Sequence, residues 1–254
     1  MNAQVPPEPL FELQRTLYSS GNYTRRRLHR ERLAWVTSAI KRYGNTSKRS
    51  IEYGPGSGIY LPELASNFAD VTAADIEPAY LAGIEPLLAA HPTLRLQVDD
   101  LERSSFQDGS FDFVLCSEVL EHVPRPASAL REIARILLPG GIAVVTTPQS
   151  RSAMELCCKI AFLPGIIQFV RWVYREPILP TGHISLRSSR QFREMIRDSG
   201  MRVIEQSVFG LYLPLIAEFG GGRGGRWIEN LEHAIADTRL AGLLWTQAYI
   251  LRKP

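Results

Sequence analysis

Four groups of residues in this chain of 254 could carry chemistry, and each sits where a predicted strand ends or a loop begins. Gly54, Gly56 and Gly58 stand at alternate positions directly after the apolar stretch Ser50 to Tyr53. Glycine is needed where the backbone must turn sharply and where a ligand must approach closer than a Cβ allows. Placed between a parallel strand and a helix, such a turn receives a nucleotide-like ligand. Asp75 closes a second strand-like run, Val71 to Asp75, and a carboxylate there suits the vicinal hydroxyls of a ribose. Asp100 and Leu101 follow a third run, Leu94 to Val98, and offer an acceptor for an exocyclic amine and a backbone donor for a ring nitrogen. His122 and His183 are the candidates for a general base, because imidazole titrates near neutral pH. Taken singly, each aspartate also reads as a turn or N-cap residue, and each histidine as a structural hydrogen-bond partner.

The spacing of the glycines narrows the ligand. A dinucleotide fingerprint needs a small third residue for close helix packing, and here that position is Ile59. This disfavours a nicotinamide-dependent oxidoreductase. The run Glu52-Tyr53-Gly54-Pro55-Gly56-Ser57-Gly58 resembles motif I of the class I S-adenosylmethionine-dependent methyltransferases. Asp108-Gly109-Ser110-Phe111-Asp112-Phe113-Val114 is similar to their D-G-S-F-D-x-V segment. Ser117-Glu118-Val119-Leu120-Glu121-His122-Val123 is similar to the motif after their fourth strand, and Leu138-Pro139-Gly140-Gly141 to the turn before their fifth. The resemblance covers roughly residues 48–150.

It implies S-adenosyl-L-methionine as cofactor. Glu52 and the three glycines would pass its methionine part, Asp75 with Ile76 its ribose, and Asp100 with Leu101 its adenine, while Ser117 would lie beside it. It also implies a Rossmann-like α/β fold with a seven-stranded sheet whose last strand is antiparallel. Within the superfamily the chain looks most like the ubiquinone-biosynthesis O-methyltransferases, through Leu28-His29-Arg30, Thr146-Thr147-Pro148 and Gly182-His183-Ile184. The aromatic pair often found in the N-terminal helix of that group is missing, so its quinone-precursor substrate is not carried over. Methyl transfer from a sulfonium is an in-line displacement, governed mostly by positioning and exclusion of water. The expected acceptor is a small or lipid-like molecule, methylated at oxygen. A non-catalytic protein that keeps the cofactor fold is the remaining alternative.

These residues must be positioned by alternating strands and helices, which predict βαβ units on a parallel sheet. Helices are expected over residues 11–43 and from Ile59 to Phe68, Pro78 to Ala90, Ala127 to Leu138 and Trp227 to Leu240. Strands are expected at Ser50 to Tyr53, Val71 to Asp75, Leu94 to Val98, Phe111 to Ser117, Ile142 to Thr147, Met201 to Phe209 and Thr246 to Leu251. Ser188-Ser189-Arg190-Gln191 has the form of a capping box. The six residues Gly220 to Gly225, five of them glycine, read as a flexible loop. The domain reading is an N-terminal helical cap at 1–47 and a catalytic domain at 48–254, with a helical insertion at about 151–182.

Composition limits the setting. An odd cysteine count (Cys116, Cys157, Cys158) argues against a disulfide framework, and their spacing matches no metal site, so a reducing, cytoplasmic environment without a bound metal is expected. The first ten residues lack a basic and then apolar run, so no signal peptide is expected. Residues 1–50 hold ten Lys/Arg and three Glu, a balance of +7 against +3 for the whole chain. A solvated helix face accounts for this, and so does contact with an anionic membrane surface. Nucleic acid is not expected, since the protein is barely basic overall and shows no recognised nucleic-acid module. The segment 153–174 is largely apolar yet too short between charges to span a bilayer. It reads as packed helices, as a lid over a hydrophobic acceptor, or as a peripheral membrane contact in which Arg25, Arg26, Arg27 and Arg30 meet headgroups.

Overall fold

In a computed structural model the described residues are 18, 23–163, 165–168 and 183–254. Helix α1 (Tyr23–Tyr43) leads into β1 (Asn45–Tyr53), followed by α2 (Leu61–Asn67), β2 (Phe68–Asp75), α3 (Pro78–Ile84) and β3 (Leu94–Val98). Then come β4 (Phe111–Ser117), α4 (Pro126–Ile136), β5 (Leu137–Pro148), α5 (Ala153–Ala161), α6 (Ser189–Asp198), β6 (Arg202–Phe209), α7 (Pro214–Ala236) and β7 (Thr246–Arg252). The seven strands form one sheet in the order β3-β2-β1-β4-β5-β7-β6, with β7 antiparallel to both its neighbours. This is the Rossmann-like architecture expected from the sequence.

Burial on both faces explains the strand composition. Phe113 through Cys116 in the centre of the sheet are fully enclosed, with nearly continuous apolar side chains as such a strand requires. One apolar cluster joins β4 and β5 to α4 and α6 through Leu130, Ile133, Phe192 and Ile196. On the opposite face Val36, Ala39 and Ile40 of α1 pack with Leu61 and Leu64 of α2. Because β1 pairs in parallel with β2 on one side and β4 on the other, the strand order reverses at β1. The carboxyl ends of β1 to β5 therefore share one edge, with a crevice at the reversal point.

Several boundaries differ from expectation. The predicted helix over Pro78–Ala90 ends at Ile84 and continues as a 3₁₀ turn, Glu85–Ala89, since Pro86 has no N–H to give an α-helical bond. Strands β1, β2 and β5 each start earlier than their apolar runs suggest, at Asn45, Phe68 and Leu137. The expected capping box is present: Ser188 Oγ accepts from Gln191 N, and the Gln191 side chain accepts from Ser188 N. Part of the 11–43 helix reading, and of the segment 153–174, lies outside the described residues. No described helix is long and apolar enough to cross a membrane.

The glycine run is a clear correction. Gly220 to Gly225 is not a loop but lies inside α7, kinked at Gly221 (φ 53°, ψ −146°). A Cβ on Gly225 would come within 2.5 Å of the Tyr23 hydroxyl, and one on Gly224 within 2.4 Å of the Ile216 carbonyl oxygen. Close packing excludes side chains at Gly224 and Gly225, whereas Gly220, Gly221 and Gly222 have room for a Cβ, and Gly221 is set apart by its positive φ at the kink. The same helix also corrects the reading of Arg27, which faces inward. Its guanidinium donates to Glu232 Oε2 at 3.0 Å and to the Leu211 carbonyl at 2.8 Å, and Glu232 also accepts from Gly210 N and Leu211 N. Burial alone would raise the Glu232 pKa, but those N–H groups, Glu31 and Arg27 outweigh it and hold it low.

Glu232 thus ties α1, α7 and the end of β6 through one carboxylate. Glu232→Ala would take from a nearly buried guanidinium its nearest carboxylate, leaving only Glu31 at 3.3 Å and the Leu211 carbonyl, and would orphan two backbone N–H groups, so unfolding free energy should fall by about 3 kcal/mol. Urea denaturation of wild type and variant at neutral pH measures this. A loss below about 0.5 kcal/mol would show the tie to be dispensable.

Candidate active site

The glycine turn takes the conformation its residues imply. Gly54, Gly56 and Gly58 have φ of 64°, 51° and 73°, a region costly for any residue with a Cβ. A Cβ on Gly54 would also lie 2.4 Å from Cγ2 of Val119, so the β1 turn and the loop after β4 are in close contact. Beneath the turn Glu52 is buried, and its Oε2 has no hydrogen-bond partner. Burial pushes its pKa well above the usual carboxylate range.

Asp75 ends β2, with one oxygen accepting from Glu77 N at 2.8 Å. Burial raises its pKa, partly opposed by that N–H. Ile76 beside it is exposed. After β3 the structure separates two aspartates that the sequence leaves adjacent. Asp99 is buried and structural: it accepts from the Tyr53 hydroxyl at 2.8 Å and from Ser105 N and Oγ. Asp100 is the less buried of the two and uses one oxygen on Glu102 N at 2.8 Å. The Leu101 side chain is in the core, which leaves its backbone as what it can present.

Ser117 ends β4 with its hydroxyl 2.9 Å from Thr146 Oγ1. The next residue, Glu118, is in the left-handed region at φ 58°. Its N–H donates to the Thr146 carbonyl, one carboxylate oxygen accepts from Thr146 Oγ1 at 3.0 Å, and the other lies 2.8 Å from Nη1 of Arg32. Arg32 is buried, 2.9 Å from His29 Nδ1 and stacked 5.5 Å from the Trp245 ring. Sequence reasoning missed Arg32 and Glu118. Arg32 was hidden in a basic run that reads as solvent-facing, and Glu118 stood within a quoted motif without an assigned role.

A second polar group lies on the loop that follows β4. Glu121 is 1% exposed, and its Oε2 accepts from the Thr147 hydroxyl at 3.1 Å. Its other oxygen has no hydrogen bond and lies 3.9 Å from Nε2 of His122. Burial and the neighbouring Glu118 push the Glu121 pKa well up. The backbone carbonyl of Glu121 accepts from Ile184 N and Ser185 N at 2.9 and 3.0 Å, which docks the segment bearing His183 onto this loop. The His122 and His183 rings, distant in sequence, come within 5.3 Å. Glu155 in the first turn of α5, whose N-terminus Ser152 caps, brings Oε1 to 3.0 Å from His183 Nδ1. That contact is off the hydrogen-bonding line, and both atoms lack a formal hydrogen bond. Of the remaining histidines, His29 is a structural group wedged between Tyr18 and Trp245, with its pKa lowered by burial and by Arg32.

Comparisons with known proteins bear on this arrangement. Residues 24–206 match a family model described as a methyltransferase domain. The ubiquinone biosynthesis O-methyltransferase of Albidiferax ferrireducens is 36% identical over 180 residues, covering 70% of this chain and 64% of that protein. The protein of the same name from Aeromonas salmonicida is 38% identical over 119 residues, covering 46% and 49%. The matched stretches thus span about half to two-thirds of the length of those relatives. Among solved structures, a geranyl diphosphate methyltransferase in complex with SAM superimposes with TM-score 0.60 at 15% identity, covering 92% of each chain. The [4+2]-cyclase SpnF does so with TM-score 0.59 at 20% identity, covering 87% of this chain and 80% of that one. At such identities these two establish the fold.

The buried acids have a measurable signature. A carboxyl whose folded pKa is raised stabilises the protein fully only below its unfolded pKa, and that contribution is lost as pH rises through the folded value. Glu52 and Glu121 both act in this direction. Urea midpoints should fall between pH 5 and pH 9, and the fall should be shallower in Glu52→Gln. Equal slopes for the two proteins would mean that Glu52 is not the strained carboxyl described here.

Proposed function

The chain belongs to the class I S-adenosyl-L-methionine-dependent methyltransferases, and from that premise we propose that it methylates an oxygen of a small acceptor with an apolar tail. The cofactor supplies an electrophilic methyl group on a sulfonium. The residues suit it: a glycine cradle that side chains would fill, and carboxylates Asp75 and Asp100 at neighbouring strand ends. In this reading Asp75 holds the ribose hydroxyls beside Ile76, Asp100 and the Leu101 backbone hold the adenine, and Glu52, the glycines and Ser117 line the remainder.

The observation that carries the oxygen assignment is the meeting of Glu121, His122 and His183 at the edge where the glycine turn opens. An acceptor hydroxyl needs a group to take its proton, and this polar group stands beside an otherwise apolar rim. The two named relatives are O-methyltransferases, which agrees with that choice. Residues 1–47 act as a cap and residues 48–254 as the catalytic unit, interrupted by the insertion at about 151–182. Leu156 and Ile160 of α5, Leu163 and Ile184 are exposed apolar side chains, and in this reading they line the path of the acceptor's tail. The same side chains, with the basic residues Arg25, Arg26 and Arg30 of α1, support peripheral contact with an anionic membrane from which such an acceptor is collected.

Two measurements test these statements. Asp75→Ala should bind S-adenosylhomocysteine at least about tenfold more weakly by calorimetric titration, because two hydrogen bonds to a carboxylate are lost. Unchanged affinity in the folded variant would remove the ribose assignment. For the membrane contact, wild-type protein should float with anionic but not neutral liposomes in a salt-sensitive way, and Leu156→Ser with Ile160→Ser should bind less. Wild type that stays in the aqueous fraction with both lipids would end that part of the proposal.

A further inference from the structure

We propose that Glu31 and Glu232 form a pH-sensitive latch between α1 and α7, and that this latch sets how firmly Arg32 holds the loop after β4. The two carboxyls converge on one guanidinium. Nη1 of Arg27 donates to Glu31 Oε2 at 3.3 Å and to Glu232 Oε2 at 3.0 Å. Gly210 N and Leu211 N also donate to Glu232, so its negative charge is already met. Glu31 has only its share of Arg27, and its side chain is 33% exposed. Two acids on one cation leave an excess negative charge unless a proton stays between them.

The groups around Glu31 do not supply a second cation. Glu229 on α7 adds another negative charge nearby, and His233 on the same helix is engaged by the Glu229 carbonyl at 2.7 Å. From β6 the neighbours are the uncharged Ser207, Val208 and Phe209, and Glu205 further along is paired with Arg42. Burial and Glu232 push the Glu31 pKa up to about 8, with Arg27 opposing them only in part. A cavity of about 400 Å³ beside the pair, lined by Trp35, Phe209, His233 and Ala236, gives water a way to Glu31 once it ionises.

The latch matters because apolar support between the two helices is thin. Among the described residues, α1 contributes Tyr23 alone to the apolar cluster that packs α7. Arg32 follows Glu31 in the same turn of α1 and reaches Glu118 at 2.8 Å. Play in this turn therefore slackens the tie on Glu118 and on the loop that carries Glu121 and His122. The direction with pH follows from proton linkage. Glu31 keeps its proton while the junction is closed and gives it up when the junction opens. Its contribution is complete below the ordinary carboxyl range and is lost progressively until pH reaches about 8. The junction is tightest in acid, and above that pH it stays at its loosest.

Residue-resolved amide hydrogen exchange from about pH 5.5 to about pH 9, corrected for the intrinsic effect of pH on exchange, tests this. In wild type, protection of the α1 amides at 28–36 should fall at least about tenfold up to about pH 8 and then level off. The Glu118 and His122 amides, bonded to the Thr146 and Val119 carbonyls, should follow. All of these should exchange faster than the amides of Val114 and Leu115 in β4, which open only with the whole fold. Glu31→Gln keeps a neutral hydrogen-bonding group and should remove the fall at both places. Glu229→Gln, at an exposed position, takes away a charge that opposes ionisation of Glu31, so levelling off should come at lower pH. That variant keeps the test valid if Glu31→Gln fails to fold. No fall in wild type, or the same fall in wild type and both variants, would overturn the latch. A fall confined to α1 would overturn its reach to the Glu118 loop.

Discussion

Arg32 and Glu118 meet at 2.8 Å, both largely withdrawn from water, across the gap between helix α1 and the end of strand β4. The pair holds Glu118 in a left-handed backbone conformation that a residue with a side chain adopts at a cost of about 1–3 kcal/mol. Two bonds to Thr146 complete the restraint and tie the turn to β5. Because the turn is held, the chain that leaves β4 runs under Gly54 through Val119 and delivers Glu121 and His122 to the same edge. The N-terminal helix is therefore more than a cover, as its buried arginine shapes the loop that carries Glu121 and His122.

The edge gathers an unusual number of buried acids. Glu52 and Glu121 are both enclosed with one oxygen unmatched, while Asp99, also buried, is satisfied by Tyr53 and Ser105. The contrast separates two uses of the same chemistry. Asp99 braces the turn after β3, and its hydrogen bonds are complete. Glu52 and Glu121 keep a polar atom in reserve, at a cost in stability borne by the surrounding core. Unmatched buried polar atoms are few in folded proteins, and each calls for a partner such as a water, an ion or a ligand.

The glycine run in α7 and the inward turn of Arg27 show the limits of reading local composition. Five glycines in six residues suggest a loop by intrinsic preference, yet they sit in a kinked helix, packed at Gly225 so closely on Tyr23 that a Cβ would not fit. Arg27 belongs to a basic run that reads as a solvated face, yet Glu232, far along the chain, draws it inside. In both cases the partner that decides the outcome lies too far away in sequence for any local pattern to show it.

The alternation of strands and helices, the left-handed turn at Gly54, Gly56 and Gly58, and the carboxylates ending β2 and following β3 were all legible in the sequence. Those features are local: they follow from side-chain period, from the φ values only glycine takes cheaply, and from positions at strand ends. The sequence also named both His122 and His183, but not that they meet. That meeting depends on two backbone hydrogen bonds from the 184–185 segment to the Glu121 carbonyl. The choice between Asp99 and Asp100, the burial of Arg32 and the unmatched oxygen of Glu121 likewise came only from tertiary structure. Each is set by which groups remain within reach of water once distant segments have packed together.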